Sequence, residues 1–142
     1  MEYKDTIEWQ GQCCGYLIEV NIHPYSGHRS GYVYLPKDHR FYEIDYDEIP
    51  VNVHGGLTFG RNNSGYWKIG FDCGHLGDGV DWDTVLEFYK GNKEVTTKLL
   101  FKKNGWETCE VKKIRTLEFC IEQLTSLCKQ LYKENGDDKG AS

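Results

Sequence analysis

Two stretches of this chain concentrate side chains able to do chemistry: His54-Gly-Gly-Leu-Thr58 and Gly70-Phe-Asp-Cys-Gly-His-Leu-Gly-Asp78. Glycine weakens a strand unless a bulge or a close backbone approach requires it. Gly55 and Gly56 beside a histidine therefore suggest backbone amides facing something bulky or anionic, and a plain bulge next to a core histidine is the alternative. The second run places Asp72, Cys73, His75 and Asp78 among Gly70, Gly74, Gly77 and Gly79. Such a loop folds tightly and presents several donors and acceptors at once. Its aspartates can hold sugar hydroxyls, orient His75 or bind a cation. His75 can donate to a phosphate or act as a general base. A glycine-rich connection with Asx turns is the plainer reading.

The same residues admit other chemistries. His54, His75 and either aspartate make a two-histidine, one-carboxylate set. Their spacing matches no zinc motif, so the reading carries no metal and no cofactor. Cys73 as a nucleophile, with a histidine as base, is a further alternative. It is disfavoured because a cysteine two residues from a histidine need not face it.

The elements must bring the two runs together. Tyr16, Ile18, Val20 and Ile22 alternate with less apolar neighbours, which predicts a strand. Residues 31–35 predict a second strand ended by Pro36, and Val51 to Phe59 a third opened by Pro50. Gly60 to Gly65 reads as a turn into a fourth strand, Tyr66 to Phe71. A hairpin there would return Asp72 to the neighbourhood of His54. Trp82 to Tyr89 reads as a short helix and Val95 to Phe101 as a strand. Leu117, Ile121, Leu124, Leu127, Cys128 and Leu131 recur at helical spacing, with Glu118, Glu122, Lys129 and Gln130 opposite. The fold class expected is α+β: a mainly antiparallel sheet with one long C-terminal helix packed across it. The chain reads as a single domain over residues 1–134, with 1–12 a polar leader and 135–142 a disordered tail. Sheet order is not legible.

Composition bounds the function. The 142 residues fit one domain. A formal net charge of −5 supplies no overall attraction to nucleic acid. The pairs Lys102-Lys103 and Lys112-Lys113 read as solvated faces. No apolar run approaches the ~20 residues that span a membrane, and the polar N-terminus lacks a signal-peptide core. The six cysteines show no paired spacing and are read as reduced thiols, Cys120 and Cys128 packing as small hydrophobes.

Beyond these readings, a longer pattern is present. Gly31-Tyr-Val-x-Leu-Pro36, His39, Asp45-Tyr46-Asp47, Val53-His-Gly-Gly-Leu-Thr58, Trp67 and Gly70-Phe-Asp-Cys-x-His-x-Gly-Asp78 follow in order. The series resembles a family of small proteins, mostly without assigned function, encoded by tailed phages and related mobile elements in bacteria. The likeness covers residues 30–80 closely and the C-terminal helix loosely. Ser30, Arg40 and Glu43-Ile44 depart from the pattern, the last pair where Gly-Lys is usual. The resemblance implies a phage-type protein acting in the bacterial host cytoplasm, with an anti-defence role by class.

The reading that follows is a non-enzymatic binder of a nucleotide-derived small molecule, a sponge that sequesters a host immune signal. The expected ligand-binding residues are His54, Gly55, Gly56, Thr58, Asp72, His75 and Asp78, with His39, Tyr46, Asp47 and Trp67 at the rim. Gly55 and Gly56 amides with the two histidines would meet phosphate, and the aspartates would meet sugar hydroxyls. Neither nucleic acid nor membrane is an expected partner, and a homodimer is. Two alternatives stay open: a protein–protein inhibitor of a host defence effector, and a hydrolase acting on a nucleotide signal.

Overall fold

The alternation over Tyr16–Ile22 forms a strand, but it is not the first. A computed structural model describes residues 6–75, 77–106 and 112–140. Its five-stranded sheet comprises β1 (Ile7–Cys13), β2 (Tyr16–Ile22), β3 (Arg29–Leu35), β4 (Phe59–Asn63) and β5 (Tyr66–Asp72). Neighbours pair antiparallel in the order β1-β2-β3-β5-β4. Residues 7–12, read from sequence as part of a polar leader, thus belong to an edge strand. The polarity that hid it is that of an edge, where one side faces solvent. Trp9 lies across Gly11 and packs on the core.

The remaining elements are α1 (Trp82–Phe88), α2 (Lys93–Trp106) and α3 (Leu117–Gly140), with a short parallel pair, β6 (Asp78–Gly79) and β7 (Lys113–Ile114). Helix α3 packs on the sheet, as the apolar spacing predicts. Cys120, Leu124, Leu127, Cys128 and Leu131 are buried against Ile18, Val20, Val33, Leu35, Ile69 and Phe71. It continues through Gly140, past the point where the sequence reading placed a disordered tail. No helix among the described residues is long and apolar enough to cross a membrane.

Two expected strands are not strands. Residues 95–101 belong to α2, because Val95 and Leu99, four apart, bury one face of a helix against Ile22, Val85 and Tyr89. The Asn92 side chain accepts the Val95 N–H at its start (3.1 Å). The β-branched run Val95-Thr96-Thr97 gave the misleading strand signal. Residues 51–58 are irregular, and pairing begins only at Phe59. Glutamines of α3 replace a strand partner there. Gln130 accepts the Asn52 N–H and donates back to its carbonyl, both at 2.7 Å, and Gln123 accepts the His54 N–H at 2.9 Å. Val51, Val53 and Leu57 still pack on the core. The segment therefore hangs from α3 and carries His54 to the head of that helix.

Candidate functional site

Strand β5 ends at Asp72, and the chain then turns through Gly74 and Gly77 into β6. Asp72 shapes the start of this loop: its carboxylate accepts the Gly74 N–H (2.9 Å) and the Thr58 hydroxyl (2.9 Å). The second contact ties the loop to the His54–Thr58 segment, as does the Thr58 N–H, which donates to the Gly70 carbonyl at 2.9 Å. The hairpin of β4 and β5 therefore brings Asp72 back to the first run. It does so through a tight turn at Ser64-Gly65, with β4 covering residues that the sequence reading placed in the turn.

Asp78 is the anchor. Its side chain is only 2% exposed. The carboxylate accepts from Arg115 Nε (2.8 Å), from His54 Nε2 (3.0 and 3.1 Å to its two oxygens) and from the His75 N–H (3.1 Å). Burial alone would raise its pKa, but the Arg115, His54 and His75 donors overcome that and hold it below the ordinary value of 3.8. Asp72 is also lowered: burial pushes up, while the Gly74 N–H, the Thr58 hydroxyl and the nearby imidazoles of His75 and His28 pull down further. Both groups are carboxylates at neutral pH, and only Asp72 is open to solvent.

The imidazoles are placed by contact. The His54 ring meets the edge of Phe119 at 5.1 Å and stands nearly perpendicular to His75, centroids 6.2 Å apart. Gly55 takes φ +70°, and a Cβ there would lie 2.6 Å from His75 Cε1, so glycine is what admits the His75 ring. His75 is 42% exposed, with Nδ1 3.5 Å from Asp72 Oδ1. His28, whose pKa is lowered by burial and by His23, flanks Gly74 on the other side.

The structure thus brings together His54, Gly55, Thr58, Asp72, His75 and Asp78. Gly56 lies beside them, but its N–H is spent on the Val53 carbonyl (2.9 Å), so that amide does not reach for an anion. The expected rim lies elsewhere. His39 is buried, its Nδ1 accepting the Phe41 N–H and its Nε2 donating to Tyr16 Oη at 3.1 Å. Trp67 is the second residue of β5, five residues and about 17 Å of strand from Asp72. There its indole N–H donates to the Ile44 carbonyl, and Tyr46, next to Asp47 in a 3-10 turn (Tyr46–Glu48), packs near Gly60. The open sheet face nearer the site instead carries Phe59 and Tyr32, which meet edge to face at 5.2 Å over Gly70.

Cys73 is no nucleophile in this arrangement. It is buried on the helix side, its Sγ 3.8 Å from that of Cys120, and that contact together with burial pushes its thiol far up. Cys120 and Cys128 are fully buried, as read. Cys109 lies outside the described residues. The residues that sequence reasoning missed are Arg115, Gln123 and His28. Arg115 stands two positions before α3, and nothing in its neighbours marks it as the partner of Asp78.

No family model, curated protein or solved structure matches the chain.

Proposed function

We propose that the chain binds a small nucleotide-derived molecule and holds it without turnover, in keeping with the phage-type pattern of residues 30–80. The observation that carries this reading is the convergence of two polar loops on one prearranged patch. Asp72, Thr58 and His75 face solvent there, while Asp78 and Arg115 brace them from below. Sugar hydroxyls suit the free acceptor positions of Asp72, and a phosphate oxygen suits His75. Phe59 and Tyr32, next along the open face, suit a base; stacking on an aromatic is worth roughly 1–3 kcal/mol. A chain with net charge −5 repels an anion at long range, so binding rests on these local donors.

Small proteins of this kind would act as sponges for a nucleotide signal in a bacterial host. Incubating the pure protein with nucleotide extract from bacteria whose defence signalling is active, washing, denaturing and reading the released molecules by mass spectrometry tests this. An intact nucleotide at near-stoichiometric yield is expected. Asp72→Ala and His75→Ala should each abolish its retention with unchanged circular dichroism, since both side chains are partly exposed. Retention in both variants would sink the assignment. Depletion with appearance of fragments would mean hydrolysis, and an empty result would favour a protein partner.

A further inference from the structure

We propose that His54, His75 and Asp78 bind a divalent transition-metal ion of the zinc class. One ligand atom from each lies within 4.8 Å of the others. His54 Nε2 stands 3.0 Å from Asp78 Oδ1, and His75 Nδ1 stands 3.8 Å from Asp78 Oδ2. Bonds of about 2.0–2.2 Å to nitrogen and oxygen set tetrahedral ligand separations of roughly 3.3–3.5 Å. The His54–Asp78 pair is already near that spacing. The His75 ring is half-exposed and closes the triangle by a modest turn.

The donor set selects the ion. Two imidazoles and one carboxylate favour zinc, cobalt or iron over magnesium and calcium, which prefer oxygen alone. The perpendicular imidazoles, at 82°, share one carboxylate between them, as two ligands of one ion do. The surrounding groups are those that orient metal ligands. Arg115 and the His75 N–H fix the Asp78 carboxylate. Asp72, fixed by Gly74 and Thr58, lies 3.5 Å from His75 Nδ1, the atom the ion would take, so metal binding exchanges that contact. Phe119 walls one side of His54. An ion would take the place of the proton that now joins His54 Nε2 to Asp78. Its remaining positions would open to solvent on the His75 side, where water or an anionic group completes the shell.

The ion site does not depend on the nucleotide reading, and it is tested on ligand-free protein. Exposed Cys14 is a competing ligand, so the background is Cys14→Ser. Metal-stripped protein is titrated with Co2+ and followed by visible absorption. One equivalent giving d–d bands of tetrahedral intensity, displaced by Zn2+, is expected. His75→Ala should weaken Co2+ binding at least tenfold with unchanged circular dichroism. His23→Ala, a histidine of the same sheet end, should bind as the background does. No visible band, equal affinity in His75→Ala, or an equal loss in His23→Ala would overturn the site. Asp78→Asn is not the deciding variant, because that buried carboxylate also holds the loops together.

Discussion

Asp78 does at the scale of one residue what the site needs at every scale: it joins parts distant in sequence. Its carboxylate meets His54, His75 and Arg115 in a place almost closed to water. Replacing it by asparagine removes the charge that Arg115 faces and costs about 2–3 kcal/mol at neutral pH. The acid dependence has a definite sign. The Asp78 pKa is depressed in the folded state, so its contribution is complete above the unfolded value of about 3.8 and is lost as pH falls through the lower folded value. Urea denaturation should therefore show a gap between the wild type and Asp78→Asn that is present at pH 5 and shrinks below about pH 4. His23, held low by burial, adds a slope between pH 7 and 5 that both proteins share, whereas His28, also held low by burial, is raised by the Asp78 charge and falls further in Asp78→Asn. A gap that persists undiminished at pH 3 would remove the charge-based account. The sequence showed Asp78 as one of several loop aspartates. Its burial was not legible, because Arg115 is 37 positions away and no local pattern pairs them.

The elements were legible where their period was strong and unmixed. The stripe from Leu117 to Leu131 has one period and one partner, and α3 forms as read. Residues 51–58 alternate like a strand yet lie on α3 through Gln123 and Gln130, polar residues that a helical wheel assigns to solvent. The first hairpin was missed although its turn is written in the chain. Cys14 and Gly15 have φ +55° and +84°, and Ser64 and Gly65 have +49° and +86°. Positive φ at both central residues is the type I′ arrangement, which prefers Asn-Gly. Reading Cys14-Gly15 as the counterpart of Ser64-Gly65 would have placed β1 on the near side of it. Both first positions hold a residue that pays a steric penalty in the left-handed region. Cys14→Asn and Ser64→Asn should each stabilise the fold by roughly 0.5–1 kcal/mol. The check is a rise in the urea midpoint with an unchanged slope. No rise in either would mean that the strands, not the turns, set the cost of closing these hairpins.

Across the whole molecule, Arg29 connects what the sheet alone does not. It opens β3, is only 2% exposed, and donates to three segments. Glu8 in β1 accepts from Nε at 2.7 Å and from Nη2 at 2.8 Å. Asp81, entering α1, accepts at 3.3 Å, and the Arg115 carbonyl, entering α3, at 3.0 Å. Arg115 in turn holds Asp78, so a chain of polar contacts runs from the edge strand through Arg29 to the site. Arg29→Ala strands the nearly buried Glu8 carboxylate and takes this donor from the Arg115 carbonyl. Breaking a buried pair costs about 3–5 kcal/mol, a large share of the roughly 5–15 kcal/mol that holds a domain together. Adding Glu8→Gln should restore part of the loss, because the second change removes the stranded charge; the double variant should then be less destabilised than the sum of the single ones. Equilibrium unfolding of the four proteins gives the coupling directly. A loss below about 1 kcal/mol in Arg29→Ala, or strict additivity with Glu8→Gln, would show that α1, α3 and β1 are held by their apolar faces alone, with Arg29 only filling the space between them.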